Sequence, residues 1–425
     1  MKSDNKEVYV LGSARIPFVK SLTTYSAFTR KELMIAALNG LVKQYKLSGQ
    51  LIGDTALGAL INSSADWNLA RECLLSTELH PESPAYNVQR ACGTSLDATW
   101  QIALKIFTGA ISIGIAGGVD TNSDLPLEVS DSLKLFFIEL KKAKTFSEKM
   151  KALRHLTPAS LRPKVPSADE PRTHLSMGEH CELMVKEWKI PRQEQDELAL
   201  ASHMNAAKAY KAGFFDDLIH PFGGIQRDGI VRENTSLELL AKLKPAFDPV
   251  NGTLTAGNSS PLSDGAACVL LGDEQSAAKF NLKPLAKIID VQVAAVDFVH
   301  GAGLLMAPTK AVAQLFARNQ LSFQDFDYLE IHEAFAGQVL CNLRAWESEE
   351  YCRKVLGRSA PLGSIDRKRL NILGSSIAVG HPFAATGARL VGTLAKLLGQ
   401  EKNKRGLISI CTAGGMGIAA ILESV

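Results

Sequence analysis

ACGTSLDATWQIALKIFTGA (91–110) running into ISIGIAGGVD (111–120), and HPFAATGARLVGTLAKLLGQ (381–400) followed by GLISICTAGGMG (406–417), are the two stretches that decide the fold. Each reads as a turn carrying a reactive side chain, then a helix, then an apolar strand ending in Ala-Gly-Gly. Order and lengths nearly coincide. An internal duplication of a βαβαβ unit is therefore expected, with a period too long for a solenoid. Two similar halves packed together bring their equivalent loops close across a shared cleft, which lets residues near Cys92 and near Cys411 meet.

Around these stretches the chain alternates strands and helices. Val8–Leu11 reads as a strand, and Lys31–Lys43 carries Leu33, Ala36, Ala37 and Leu41 at helical spacing. Ala56–Ile61 and Ile111–Ala116 read as strands, with a helix over Asp97–Phe107. In the last part, Leu285–Val293 is a strand, Pro308 opens a helix over Thr309–Asn319, and the strand Tyr328–His332 feeds a helix from Ala334. Such alternation implies an α/β fold with a mostly parallel sheet covered on both faces. Between the halves the character changes. Lys134 to Lys164 is amphipathic and basic, then punctuated by Pro158, Pro163 and Pro166, and Pro191–Lys211 is a long helix with an acidic start. The expected division is an N-terminal half over 1–121 and 248–280, a helical insertion over 122–247, and a C-terminal half over 281–425.

Composition excludes several classes. A formal charge of +3 on 425 residues points to no particular partner, nucleic acid included. The opening MKSDNKEVYVLG has neither an apolar core nor an Arg/Ser-rich amphipathic stretch, so no targeting peptide is expected. No continuous apolar run approaches the ~18 residues of a membrane span. Seven cysteines, an odd number without CxxC pairs, fit a reducing compartment, so a cytoplasmic location is expected with neither a disulfide framework nor a structural metal.

Four residues carry the chemistry. Cys92 directly precedes a helix, where the free N–H groups lower a thiol pKa; taken alone, it reads more readily as a buried structural cysteine. His381 sits in a Gly-rich strand-to-helix turn, bracketed by Gly374, Gly380 and Gly387, and is either a ligand-facing base or a turn histidine bonded to its own loop. Cys411 ends an apolar strand before flexible glycines whose N–H groups are available to hold an oxyanion. The terminal GGMGIAA fits a dinucleotide pattern only formally, because the chain ends eight residues after Gly417. His332, beside Glu333, reads in isolation as structural or as half a metal site; HExxH fails because position 336 is Ala. Together the four are expected at the C-terminal ends of strands, the edge where open parallel sheets bind ligands.

The segments RACGTSLDA, GIAGGVDTNS, GTLTAGNSSPLSDGAA, HEAFAGQ, ILGSSIAVGHPFAATGAR and CTAGGMG, in this order and over essentially the whole chain, resemble the thiolase family. The resemblance implies two duplicated αβα halves forming a five-layered core, with a helical loop domain inserted into the first. HEAFA, GHPFAATGAR and the long insertion LPLEVSDSLKLFFIELKKAKTFSEKMKALRHL are most similar to the degradative 3-ketoacyl-CoA thiolases, in particular the β-subunit of the fatty-acid oxidation trifunctional complex. Ser375, where the family usually has Gly, and Thr412-Ala413 depart from the pattern and bear on chain-length preference. The roles implied are Cys92 as nucleophile, His381 as its base, Cys411 as general acid, and His332 with His381 around the thioester enolate oxygen. Backbone N–H groups of Cys92 and Ala413 would form a second oxyanion hole. Met177 and Ser260 would face the pantetheine arm of CoA, which is a substrate; no metal or redox cofactor is implied. A homodimer or tetramer is implied, and an α-subunit carrying hydratase and dehydrogenase activities is a candidate partner. The basic stretch Lys134–Lys164 would meet CoA phosphates, that partner, or at most a peripheral membrane surface. Two other readings remain: a biosynthetic acetoacetyl-CoA thiolase using the same residues, and a CoA- or lipid-binding scaffold without chemistry. Decarboxylating ketosynthases share the broad fold but lack the second catalytic cysteine, so Cys411 argues against them.

Overall fold

The computed structural model describes residues 5–167 and 169–425; residues 1–4, the first part of the opening read as free of a leader, lie outside the described residues. The strands are β1 (Tyr9–Arg15), β2 (Val19–Lys20), β3 (Asp54–Gly58), β4 (Ala85–Asn87), β5 (Ile113–Asp120), β6 (Ser263–Gly272), β7 (Ala286–Ala295), β8 (Tyr328–Ile331), β9 (Arg405–Thr412) and β10 (Met416–Glu423). They form one sheet in the order β4-β3-β5-β6-β1-β7-β10-β9-β8, with β2 paired to β6. At its middle, β1 and β7 share only the antiparallel pairs Tyr9↔Lys287 and Val10↔Ala286. From that seam the same pattern runs outward twice, as β1-β6-β5-β3 and as β7-β10-β9-β8. In each, two antiparallel pairings precede a parallel one.

The sheet is therefore mixed, where alternation in the sequence predicts a mostly parallel one. Parallel neighbours need a crossover, commonly a helix, and neither β6 nor β10 is reached by one. β10 follows β9 through the turn Ala413–Gly415, in which Gly414 and Gly415 have φ of 74° and 67°. The chain reverses there, and Cys411 pairs with Gly417. β6 returns from the insertion and slots antiparallel between β1 and β5.

The strands are apolar on both faces because both are covered. Along β10, Ile418, Ala420 and Leu422 face one cluster while Ala419 and Ile421 face another, the period-2 alternation of a strand. The helices Thr94–Phe107 and Thr386–Leu398, predicted from the repeated stretches, lie side by side between the half-sheets. Ile102, Ile106, Leu390, Val391 and Leu394 share one core with Val10, Val269, Ile408 and Ile418. Outside them, Arg30–Gln44 and Leu69–Leu75 cover the N-terminal half-sheet, and Ala307–Asn319 and Ala336–Glu347 cover the C-terminal one. The result is five layers, α-β-α-β-α.

The insertion divides in two. Its helices Met177–Glu187 and Arg192–Lys211 join the C-terminal core through Cys181, Met184, Val185, Leu198 and Ala199. A buried bidentate pair ties β1 to this part: Arg15 donates to both Asp228 oxygens at 2.5 and 2.7 Å, and Phe18 N–H and Tyr210 O–H also donate to Asp228. The helices Asp131–Lys142 and Phe146–Ala152 instead leave Phe137, Phe146 and Met150 exposed. No helix among the described residues is long and apolar enough to cross a membrane.

Candidate active site

Two turns, one from each half, build the site. After β4 the chain enters a single tight turn, Ala91–Gly93, before the Thr94–Phe107 helix. Ala91 sits at φ 43°, a left-handed conformation that costs a residue with a Cβ about 1–3 kcal/mol. Thr94 holds the turn, its Oγ1 donating to the Ala91 carbonyl at 2.6 Å and accepting from Arg90 N–H at 2.9 Å. In the other half, a short helix Ser376–Val379 is stopped by Gly380 at φ 103°, and His381 follows. A side chain at 380 would be disfavoured by that φ and would meet Ser263 Oγ at 2.9 Å.

His381 is thus not on a strand-to-helix turn open to ligand, as the sequence suggests. It lies between two helical segments and is 5% exposed. The sheet already ends at β8, against which the preceding segment makes one bridge, Leu370 to Leu329. The expectation that all four residues end strands holds for Cys411 within β9 and for His332 just after β8, but not for Cys92 or His381.

The turns touch through backbone. Asp120, ending β5, accepts from the N–H groups of Leu60, Ile61 and Ala384, the last at 2.8 Å. Ser95 Oγ accepts from Ala388 N–H at 2.7 Å. A Cβ at Gly118 would lie 2.1 Å from the Ala384 carbonyl oxygen, and one at Gly387 would lie 2.3 Å from Leu96 N. Only glycine lets the two halves approach this closely.

At the seam, Cys92 Sγ lies 3.2 Å from His381 Nε2, and His381 Nδ1 lies 2.6 Å from Thr386 Oγ1. The His332 and His381 ring centres are 4.1 Å apart, and His332 Nδ1 is 2.7 Å from Ser376 Oγ. His332 Nε2 is buried without a partner among the described residues. Cys411 is 2% exposed, near enough to Cys92 that a Cys92 thiolate opposes its ionisation. The ligand atoms of Cys92, His332 and His381 lie within 4.8 Å of one another, a spacing and donor set that would also accept a soft cation.

Burial governs the electrostatics. It pushes the Cys92 thiol up to about 12, although the backbone N–H groups of Ala413 and of Cys92 itself point at the sulfur and pull the other way. This reverses the expectation of a helix-lowered thiol: the Cys92 side chain is wholly enclosed, and desolvation of a thiolate outweighs the partial charge of a helix end. Those two N–H groups are the pair expected for the second oxyanion hole. Burial also drives His381 down to about 3, with the Arg389 charge adding to it. His332 falls well below its ordinary value through burial, then His381 and Arg389. Cys411 rises well above its own through burial and then Cys92. The resting site is therefore a neutral thiol facing a neutral imidazole, arranged for proton transfer when an electrophile arrives.

Ser260 is built against the His332 turn, its N–H and Oγ both donating to the Ala334 carbonyl at 2.9 Å. Met177 opens the Met177–Glu187 helix, whose N-terminus Ser176 and Glu179 cap reciprocally, and packs on the apolar cluster that contains Cys411. Sequence reasoning missed the supporting residues. Glu333 accepts from Ser202 Oγ, Asn371 Nδ2 and Ile377 N–H, clamping the HEAFA turn. Thr386 and Ser376 each hold one histidine. Arg389 was the findable one: a lone arginine on the apolar helix face TGARLVGTLAKLL.

A buried thiol hydrogen-bonded to an imidazole, with backbone N–H groups aimed at the sulfur and a second thiol beside it, defines a thiol-dependent acyl-transfer enzyme on a duplicated α/β fold. The chain matches the family descriptions "Thiolase, N-terminal domain" over residues 8–275 and "Thiolase, C-terminal domain" over residues 282–424. It is 38% identical to the 3-ketoacyl-CoA thiolase of Shewanella sp., across 98% of this chain and 97% of that protein. It is also 38% identical to the 3-ketoacyl-CoA thiolase of Photobacterium profundum, across 99% and 97%. Among solved structures, the Bacillus anthracis acetyl-CoA acetyltransferase superposes with TM-score 0.83 at 29% identity over 100% of both chains. Human mitochondrial 3-ketoacyl-CoA thiolase does so with TM-score 0.82 at 28% identity over 99% of both. The chain belongs to the thiolase family.

Proposed function

We propose that this chain is a degradative 3-ketoacyl-CoA thiolase, an acyltransferase that cleaves 3-ketoacyl-CoA with CoA to acetyl-CoA and an acyl-CoA shortened by one acetyl unit. The observation that carries this reading is the 3.2 Å approach of Cys92 Sγ to His381 Nε2, with the buried Cys411 thiol near enough to feel the charge of a Cys92 thiolate. His381 takes the Cys92 proton, and the sulfur attacks the 3-keto carbon. The C2–C3 bond breaks, leaving the acyl group as a thioester on Cys92. The electron pair passes to C2 as the acetyl-CoA enolate, which takes a proton from Cys411. CoA then gives its thiol proton to the Cys411 thiolate and attacks the acyl-Cys92 thioester, and the released Cys92 sulfur recovers its proton from His381. His332 and His381 stabilise the enolate oxygen; the N–H groups of Cys92 and Ala413 stabilise the oxyanion at the attacked carbon. One such donor is worth about 3–4 kcal/mol of transition-state stabilisation. Every step is proton or acyl transfer, so the scheme calls on no metal or redox cofactor.

The biosynthetic reading uses the same residues in reverse, and the Bacillus anthracis fold match is compatible with it. The full-length relatives at 36–38% identity are named 3-ketoacyl-CoA thiolases, which favours cleavage. An unreactive scaffold has no need to bring the Cys92 thiol and both histidine rings within 4.8 Å of one another. Met177 and Ser260, flanking the site, are assigned to the pantetheine arm. We place the enzyme in the cytoplasm, where seven buried, unpaired cysteines suit a reducing medium. It acts as a homodimer or tetramer, with an α-subunit bringing hydratase and dehydrogenase activities as a further partner. The test is CoA-dependent loss of the 3-ketoacyl-CoA enolate absorbance, with acetoacetyl-CoA and 3-ketohexadecanoyl-CoA run in parallel. Turnover by the wild type and none by Cys92→Ala or Cys411→Ala is expected. A folded, CoA-binding wild type that turns over neither substrate, alone or with an α-subunit, would overturn the assignment.

A further inference from the structure

The two histidines of the site are held by different hydroxyls, and the difference extends one residue further on one side only. Arg389, on the Thr386–Leu398 helix, is 3% exposed and donates through Nη2 to Ser376 Oγ at 2.7 Å and through Nη1 to Ser375 Oγ at 3.3 Å. A guanidinium can only donate, and a serine hydroxyl has one hydrogen to give. Ser376 Oγ must accept from Arg389, and its only other partner among the described residues is His332 Nδ1 at 2.7 Å. If Nδ1 carried the histidine proton, Ser376 would accept twice and its own hydrogen would be buried without an acceptor, an arrangement that folded proteins avoid. The hydrogen therefore goes from Ser376 to Nδ1, the His332 proton sits on Nε2, and Nε2 is the buried atom with no partner among the described residues, its ring 4.1 Å from that of His381.

We propose that Arg389 and Ser376 are positioning residues that lock His332 in its Nε2–H tautomer, fixing a hydrogen-bond donor toward the reacting thioester oxygen. Arg389 reaches His332 by hydrogen bonding only through Ser376 and touches no substrate. Its charge also helps keep His332 neutral, since a nearby cation opposes protonation. His381 has no such lock. Thr386 Oγ1, its partner at 2.6 Å, is contacted by no arginine among the described residues; it accepts from Nδ1–H, which leaves Nε2 free to take the Cys92 proton, and that bond persists when the ring becomes charged. One histidine is fixed as donor and the other is left free as base. The Ser375 hydroxyl gives Arg389 its second anchor. The catalytic part of this inference rests on the thiolase reading; the tautomer itself does not.

The decisive experiment is nitrogen-15 NMR of histidine-labelled enzyme at neutral pH, with the His332 signals assigned by their loss in His332→Gln. Shifts of a neutral ring protonated at Nε2 are expected, and a neutral ring protonated at Nδ1 in the wild type overturns the proposal whatever the activity. Ser376→Ala should populate both tautomers and lower kcat about 10- to 100-fold, part of the full cost of an oxyanion donor, with KM changed less than about threefold. Ser376→Thr should restore the single tautomer and most of kcat. A Ser376→Ala enzyme that folds, keeps pure Nε2–H and loses no kcat would equally overturn the relay. A Ser376→Ala enzyme that loses activity while keeping pure Nε2–H would overturn it too, whereas a wild-type enzyme with the Nε2–H ring and no thiolysis would place the fault in the thiolase scheme.

Discussion

The two reactive turns are the same piece of architecture used twice. Ala91–Gly93, the Thr94–Phe107 helix and β5 correspond to His381–Ala385, the Thr386–Leu398 helix and β9, on opposite sides of the β1–β7 seam. One copy ends its turn in a thiol on a strained backbone, with Ala91 at φ 43°. The other ends in an imidazole held by Thr386. Duplication supplied two equivalent positions facing each other, and the chemistry came from giving them unlike side chains: a nucleophile from one half meets a base from the other. Neither half alone holds the pair, so each tests the other.

Removing either member breaks the comparison most severely. Cys92→Ala should lower kcat by roughly 10⁴-fold or more, since no acyl-enzyme can form, measured by thiolysis of acetoacetyl-CoA. His381→Ala should cost about 10²–10⁴-fold, the usual worth of a general base, and should slow alkylation of Cys92 by iodoacetamide at neutral pH. Wild-type alkylation rates in that variant would detach the histidine from the thiol.

Prising the copies apart is milder. Gly118→Ala and Gly387→Ala each push a methyl into backbone of the opposite turn and should destabilise by about 1–3 kcal/mol in urea unfolding, with activity falling as the 3.2 Å contact opens. Unchanged stability in both would mean the seam is looser than these contacts require.

Acid sharpens the comparison. In the unfolded chain a histidine takes up its proton near pH 6.5, whereas folded His381 does so near 3 and His203, also buried, near 4. The unfolded state binds more protons throughout those windows. Stability is thus full above about pH 6.5 and falls as pH drops, by roughly 1.4 kcal/mol per pH unit for each histidine. Unfolding midpoints at pH 7.5, 6 and 5 should decline accordingly, and His203→Gln should flatten part of the slope; a flat profile in the wild type would refute the buried neutral state. The smallest effect lies away from both turns: Phe146→Ser, 79% exposed on the insertion, should change stability by no more than about 0.5 kcal/mol and leave kcat alone.

Much of this was legible in the chain. The repeated turn–helix–strand stretches fixed both central helices, because Ile102, Leu390 and Val391 follow the 3.6-residue period of a helix buried between sheets. Strand direction was hidden, since β9 and β10 reverse through two glycines that look like any Gly-rich loop. Cys92 and His381 stood out by residue type and setting, but the sign of their electrostatics depends on enclosure by the other half, which no local window contains. Ser376 and Thr386 were invisible for the same reason. A serine or threonine near a histidine means nothing until the fold sets them 2.6–2.7 Å apart.

The most direct test of the central claim, that the two turns make one nucleophile–base pair, is peptide mass spectrometry of enzyme incubated with 3-ketohexadecanoyl-CoA without free CoA and quenched in acid. One acyl group is expected on the peptide carrying Cys92 in the wild type, released on adding CoA, and almost none in His381→Ala at the same time point. An acyl group on Cys411 instead, or equal labelling of Cys92 with and without His381, would contradict it.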